Sequence, residues 1–339
     1  MTPISSHTGL RGLAASAVTL GHFTEIFAPR WFPPHTHVAV DFFFLLSGFI
    51  LAHVYGGTFA QSLRLRDMLC FLVRRLARIY PLHLATLLAI LLILRFRMTP
   101  EEAGQLLPQL TLTHAWGLSE RYVFNAPSWS ISVEFGAYLA FPLLAFVLAR
   151  RGGWLALLAL SLAGLALVWP LGAGSLDLHV TGSRHAWLRG VVAFPLGMVL
   201  AQLATQAPPA GRAGLAQTLA LAGFAAVLVL GAPEALLLAP MALMVWATAQ
   251  DRGWIARAMA TRPMVWLGEI SYGMYLIQWV VILVLYNLIP KLGFLPAAAL
   301  PWVSGALFWA GVLLGATLSA RWFEPVFTRW ARACRLSRS

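Results

Sequence analysis

The feature that most constrains this chain is a series of long apolar runs, separated by short polar or basic segments. A helix needs about 20 residues to cross a bilayer, so runs of this length predict membrane spans. The runs are residues 9–27, 38–54, 79–94, 129–148, 154–171, 188–205, 215–232, 235–250, 266–289 and 298–320. We therefore predict an all-α, polytopic membrane bundle with about ten transmembrane helices.

The composition agrees with a membrane protein. Hydrophobic residues make up 60% of the chain and charged residues 11%, whereas soluble domains are about 25% charged. The net charge of +12 arises from 24 basic and 12 acidic residues. Because the basic residues fall between apolar runs, they are typical of topology determinants and not of a nucleic-acid site. We exclude a nucleic-acid partner and a sizeable soluble domain.

The distribution of basic residues predicts the orientation. With the amino terminus inside, 17 of the 24 basic residues face inward and 7 outward, which places both termini in the cytoplasm. The first run lacks a small-residue cleavage site and is interpreted as a retained signal anchor. Residues 1–320 then form the membrane domain, and residues 321–339 a basic amphipathic tail. Cys70 and Cys334 show neither metal-ligand spacing nor an obvious disulfide role.

Ionisable residues within apolar runs are costly, about 2.5–3.5 kcal/mol each at the bilayer centre, so each needs a partner or a function. Arg11 begins the first run, and His22 lies eleven residues further, about 16 Å along a helix. Imidazole is the natural general base near neutral pH, although a lone histidine in an apolar helix is also a common packing residue. Asp41 opens the second run, where it either approaches His22 or serves as a helix amino-terminal charge.

Two further segments carry candidate site residues. Arg75 and Arg78 are three residues apart, so on a helix they share a face and can grip a phosphate, although clustered arginines also mark ordinary topology. Glu134 lies among hydroxyl and aromatic side chains that include Trp129 and Ser130. This segment predicts a polar pocket or, alternatively, an interfacial carboxylate near a helix amino terminus.

In chain order, five segments resemble the signature motifs of the acyltransferase family 3 membrane enzymes of the O-antigen and exopolysaccharide acetylase type. They are LRGLAASAVTLGHF, VDFFFLLSGFI, RRLARIYP, WSISVEF and WLGEISYGMYLIQ, and they extend from residue 10 to residue 278. The resemblance implies transfer of an acyl group, often acetyl, from cytoplasmic acyl-CoA to a hydroxyl group. The implied acceptor is an envelope glycan, a lipid-linked sugar or a small molecule, and the implied location is a bacterial inner membrane.

The resemblance also implies roles for individual residues. It makes His22 the catalytic base, Arg75 and Arg78 the acyl-CoA contacts, and it makes Arg11, Asp41 and Glu134 essential supporting residues. The predicted substrate-binding residues are Trp129, Ser130, Ser271, Tyr275 and Gln278.

The last motif departs from the family pattern, because Gln278 stands where members frequently have histidine. A glutamine can hydrogen-bond but cannot take a proton at neutral pH. We expect Asp41 or Glu134 to fix the tautomer of His22, with direct transfer and an acyl-histidine intermediate both open.

Two other classes of protein remain as alternatives. A proton-coupled transporter or flippase of a lipid-linked glycan would also bury His, Asp and Glu residues, although the latter half holds no second copy of VDFFFLLSGF. A noncatalytic scaffold would leave the ordered polar motifs unexplained. Neither a G-x-S-x-G elbow nor an H-E-x-x-H motif occurs, so no metal is implied. Membrane lipids are expected partners, and the sequence leaves open whether the chain forms a homo-oligomer.

Overall fold

The structure, a computed structural model, describes residues 4–31, 33–117, 123–176, 185–204, 209–292, 299–334 and 336. Every regular element in these ranges is helical, which confirms the predicted fold class. The α-helices are α1 Ser5–Phe27, α2 Ala39–Phe59, α3 Leu65–Ile93, α4 Pro100–Gly104, α5 Leu106–Leu110, α6 Trp129–Leu148, α7 Gly153–Leu171, α8 Trp187–Leu203, α9 Ala210–Val229, α10 Leu238–Thr248, α11 Trp254–Met259, α12 Arg262–Glu269, α13 Ser271–Leu288, α14 Leu300–Leu318 and α15 Glu324–Ala331.

Seven helical segments within the described ranges are long and apolar enough to cross a membrane. They are Thr36–Phe59, Leu65–Ile93, Ala126–Leu148, Gly153–Leu171, Gly211–Val229, Ser271–Leu288 and Leu300–Ala331. The other three predicted runs coincide with α1 and with two shorter apolar helices, Trp187–Leu203 and Glu234–Thr248. Residues 205 and 298, at the ends of two predicted runs, lie outside the described residues. These helices make the chain an integral membrane protein.

Two glycines allow α2 and α8 to cross at very close range. A Cβ atom on Gly48 would lie 2.0 Å from the carbonyl oxygen of Phe194, and one on Gly197 would lie 2.0 Å from that of Leu45. Small residues let the backbones of membrane helices approach in this way. The crossing packs the two helices closely against each other, and it includes a charged pair described below.

The third helix begins at Leu65, fourteen residues before the predicted apolar run 79–94. The basic segment that was expected to precede the span is therefore part of the same helix. As a result, Arg75 and Arg78 lie on one face of a continuous helix, held rigidly with respect to the bundle.

The chain after α14 continues as a helix that packs against α3. A π-helical turn at Ser319–Phe323 contains the predicted domain boundary and leads into α15, which packs against α3. A disulfide joins Cys70 to Cys334. Arg74 donates from Nε and Nη2 to the Cys334 carbonyl oxygen, at 3.0 and 2.7 Å. The two cysteines, for which the sequence showed no role, thus tie the carboxyl-terminal segment to the start of α3.

On the opposite side of the bundle, Glu234 joins three connecting segments. His37 Nε2, Ser175 Oγ and the Leu176 amide donate to its Oε2 atom at 3.0, 2.6 and 3.0 Å. His35 Nδ1 donates to its Oε1 atom. Burial favours a higher pKa for Glu234, but the hydrogen bonds from His37, Ser175 and His35 outweigh it and lower that pKa below its ordinary value. The carboxylate therefore fastens this junction in its ionised form.

Candidate active site

A cavity of about 160 Å³ lies between α1, α2, α3, α6 and α13. Five helices from distant parts of the sequence form its walls, so the cavity exists only in the folded bundle. Its polar lining consists of Arg11, Ser47, Arg75, Arg78, Ser130, Glu134, Tyr138, Ser271, Tyr272 and Tyr275.

One part of the cavity is strongly cationic. Arg11 donates from Nη2 to the Gly268 carbonyl oxygen at 2.7 Å, and Arg75 donates from Nη2 to the Tyr55 hydroxyl at 2.9 Å. The Nε atoms of Arg11 and Arg75 are both buried, and neither has a hydrogen-bond partner within the described residues. An unpaired buried donor on a charged group is costly, so these two N–H groups are suited to an anionic ligand such as a phosphate.

Arg78 differs from Arg75 because it already has an internal anion. It forms an ion pair with Glu324, and its guanidinium lies 5.5 Å from the centroid of the Tyr272 ring. Glu324 is 4% exposed and also accepts a hydrogen bond of 3.0 Å from Ser319 Oγ. Sequence reasoning did not single out Glu324, whose only signal was an acidic residue four positions after the end of the last apolar run.

Glu134 brings a carboxylate to the same cavity. Its Oε1 atom accepts hydrogen bonds from Ser47 Oγ at 2.8 Å and from the Tyr138 hydroxyl at 2.6 Å. The three residues come from α2 and α6, so the carboxylate cross-links the two helices. Glu134 thus lies in a polar pocket, as one of the two predictions for its segment proposed.

Ser130 and Tyr275 line the cavity from α6 and α13. Ser130 Oγ donates to the Tyr275 hydroxyl, and that hydroxyl donates to the Pro127 carbonyl oxygen, both at 2.9 Å. Ser271 lies one turn before Tyr275 on α13 and donates from Oγ to the Gly268 carbonyl oxygen at 2.8 Å. The structure therefore brings these three predicted substrate-binding residues to one cavity.

His22 is not among the described residues that line this cavity. It lies on the same face of α1 as Arg11, because eleven residues complete about three helical turns. Its ring adjoins the Gln278 side chain and meets the Trp279 ring edge-on, with a centroid distance of 5.7 Å. Gln278 is fully buried one turn beyond Tyr275. The predicted base therefore stands about one helical turn outside the arginine-lined cavity.

Comparison with known proteins agrees with the motif resemblance. A family model for an acyltransferase domain matches residues 5–321, nearly the whole chain. The chain belongs to acyltransferase family 3. It is 31% identical to the acyltransferase MdmB of Streptomyces mycarofaciens over 317 residues, which cover 82% of this chain and 79% of that protein. Protein 2 in the picA locus of Rhizobium radiobacter is 39% identical over 79 residues, 23% of this chain and 39% of that protein. No solved structure matches the chain significantly.

Within this family member, Asp41 pairs with Arg189 instead of approaching His22. Arg189 donates from Nε to Oδ1 at 3.0 Å and from Nη2 to Oδ2 at 2.6 Å. The two side chains are 1% and 0% exposed. The expectation that Asp41 orients His22 is therefore corrected, because the close crossing of α2 and α8 gives this carboxylate a bidentate cation of its own.

Trp129 contacts the arginine of this charged pair. The Arg189 guanidinium lies 4.9 Å from the centroid of its ring, and Trp129 is not among the described residues that line the cavity. From the sequence, Arg189 was assigned only to the seven basic residues that face outward and set the topology. Its position at the start of an apolar run was the signal that it enters the bundle.

Proposed function

We propose that this membrane acyltransferase is an O-acyltransferase, which moves an acetyl or other acyl group from acyl-CoA to a hydroxyl group. The observation that carries the proposal is the arginine-lined cavity in a chain of this family, with two buried guanidinium donors that lack a partner. Such donors fit the phosphates of coenzyme A. The acceptor is a hydroxyl of an envelope glycan, a lipid-linked sugar or a small molecule.

Arg75 and Arg11 are the stronger phosphate contacts in this proposal, because each has an unpaired Nε donor. Arg78 takes part only if the incoming phosphate competes with Glu324, its partner in the free protein. Glu134 keeps the cavity from carrying the full charge of three guanidinium groups. The thioester end of the donor then lies toward Ser130 and Tyr275. This end of the cavity is the one nearest to His22, which adjoins Gln278 one helical turn beyond Tyr275.

In the proposed reaction, His22 is the general base. Its imidazole removes the hydroxyl proton of the acceptor as the oxygen attacks the thioester carbonyl carbon. The carbon–sulfur bond breaks, and the departing coenzyme A thiolate takes the proton from the imidazolium, giving an ester and the free thiol. Since His22 is not among the described residues that line the cavity, the step requires a rearrangement that brings the thioester and the imidazole together.

The orientation in the membrane is part of the proposal. Ten helices cross the inner membrane of a bacterium, both termini face the cytoplasm, and the donor enters from that side. MdmB and the picA-locus protein also come from bacteria. In this orientation Cys70 and Cys334 face the cytoplasm, which is reducing and keeps cysteines as thiols. The disulfide between them would then form only on oxidation. Labelling of these cysteines in intact cells with a membrane-impermeant reagent after reduction tests the orientation, since labelling would place them outside.

The decisive experiment measures acyl transfer directly. Membranes from cells that express the protein are incubated with radiolabelled acetyl-CoA, and the labelled product is extracted and identified by mass spectrometry. We expect labelled ester with the wild type and none with well-folded His22→Ala. Near-normal transfer by that variant would remove His22 from the mechanism. Envelope glycans, lipids and metabolites of a deletion strain, compared with its parent, then identify the acceptor by a missing acyl mass.

A further inference from the structure

Two buried polar atoms without partners belong to adjoining side chains on α1 and α13. They are Nδ1 of His22 and Oε1 of Gln278, and neither has a hydrogen-bond partner within the described residues. A buried polar atom left unpaired costs about 1–3 kcal/mol. A protonated Nδ1 is a donor and an amide oxygen is an acceptor, so one contact between these neighbours would satisfy both.

The hydrogen bond of the Gln278 Nε2 atom fixes the orientation of the side-chain amide. Its Nε2 atom donates to the Tyr275 carbonyl oxygen at 3.0 Å, along the same helix. A backbone carbonyl can only accept, so the nitrogen must occupy this end of the amide. The oxygen is consequently the end of the amide that has no partner within the described residues, in a side chain that adjoins His22.

The carboxylates expected to orient His22 are engaged elsewhere. Asp41 is held by both nitrogens of the Arg189 fork. Glu134 accepts from Ser47 and Tyr138 in the cavity. The side chain that adjoins the histidine and offers an acceptor is the neutral amide of Gln278.

We propose that Gln278 is the positioning residue of His22: its Oε1 accepts the Nδ1 hydrogen and leaves Nε2 as the proton acceptor. This assignment rests on the proposed function, in which His22 is the base. The contact closes as the reacting complex tightens, as catalytic hydrogen bonds of unliganded enzymes do. An amide holds a catalytic imidazole in the same manner in the Cys-His-Asn arrangement.

A neutral positioning residue has a measurable consequence. It fixes the tautomer of the imidazole but does not stabilise the imidazolium by charge, whereas a carboxylate at the same place would do both. Replacing the amide by a carboxylate should therefore move the titration of His22 to higher pH. A residue that only fills space would leave the titration where it is.

The experiment uses diethyl pyrocarbonate, which modifies neutral imidazole, on the full-length protein in detergent micelles. The rate of modification of His22 is followed by peptide mass spectrometry from pH 5 to pH 9. We expect Gln278→Glu to raise the pH of half-maximal rate by about one to two units, the size of shift that a nearby opposite charge produces. Gln217→Glu is the matched control, because Gln217 is equally buried but bonds to the Ala247 and Arg252 carbonyl oxygens.

A second variant keeps the test independent of a single substitution. Gln278→Leu should lower kcat for acetyl transfer in the membrane assay by about 10²-fold or more, with KM for acetyl-CoA unchanged. An unmoved titration in folded Gln278→Glu would overturn the proposal, even if His22→Ala is inactive. A shifted titration together with an active His22→Ala would instead uphold the contact and refute the proposed function.

Discussion

The buried pair of Asp41 and Arg189 can be tested by substitution, to decide whether Asp41 supports catalysis or stabilises a buried cation. The family resemblance makes Asp41 a supporting residue of catalysis, whereas the structure makes it the partner of a buried cation. The perturbation is a cycle of three variants, Asp41→Leu, Arg189→Met and the double variant. Each replacement introduces an apolar side chain of a length similar to the original one, in a site that excludes water.

The expected magnitude follows from the geometry. Asp41→Leu removes both charge-assisted hydrogen bonds, of 3.0 and 2.6 Å, and leaves Arg189 with the His37 carbonyl oxygen and the face of Trp129. Breaking one side of such a buried pair costs about 3–5 kcal/mol of unfolding free energy. Replacing both sides is often neutral, so the double variant should recover most of the loss, with a coupling energy of about 3 kcal/mol.

The assay has two readouts. Unfolding is titrated with a denaturing detergent in mixed micelles, and acetyl transfer is measured on membranes that contain equal amounts of folded protein. We expect both single variants to unfold at much lower denaturant, and the double variant to regain both stability and activity. A double variant that is stable but inactive would show that the Asp41 carboxylate takes part in the chemistry. A double variant as unstable as the single ones would refute the ion-pair reasoning.

Three further predictions concern the cavity and the two sides of the bundle. Arg75→Ala should raise KM for acetyl-CoA about ten- to a hundredfold, the value of one or two charge-assisted hydrogen bonds, whereas Arg74→Ala, a neighbour that does not line the cavity, should leave KM unchanged. Reduction of the Cys70–Cys334 bond should lower the unfolding free energy by about 2–4 kcal/mol, and equal stability before and after reduction would contradict this. Because the pKa of Glu234 is lowered on folding, its contribution is present at neutral pH and lost as the pH falls through the carboxyl range. The difference in thermal unfolding between Glu234→Gln and wild type should therefore be largest at pH 7 and shrink as the pH falls below the ordinary carboxyl pKa toward the lowered pKa of the folded state, and a difference independent of pH would argue against an ionised Glu234.

Much of the cavity was predictable because its residues stand out in apolar runs. Arg11, Arg75, Glu134, Ser130 and Tyr275 could be chosen from the sequence, since a polar group in a membrane helix needs a partner or a ligand. The 3.6-residue repeat of a helix places residues of one helix on a common face, but the meeting of five such faces in one cavity depends on how the helices pack. What these residues contact inside the cavity could not be read in the same way.

The partners of the charged residues were the part that sequence reasoning missed. Arg189 was predicted only as a topology charge and Glu324 was not singled out, yet both are buried and paired. Asp41 or Glu134 was expected to orient His22, and Gln278 was expected to bind substrate. Which side chains meet depends on which helices are neighbours, and the helix order in a bundle is not encoded in the spacing along one helix.

The amino-acid sequence by itself determined the helical membrane fold, the positions of the apolar segments and the set of polar residues that must be satisfied inside the bundle. These follow from local hydrophobicity and periodicity, which depend on residues close in the chain. The tertiary structure alone decided that Asp41 bonds Arg189, that Arg78 bonds Glu324 and that His22 lies beside Gln278. Each of these pairs joins residues more than a hundred positions apart, brought together by the close packing of helices.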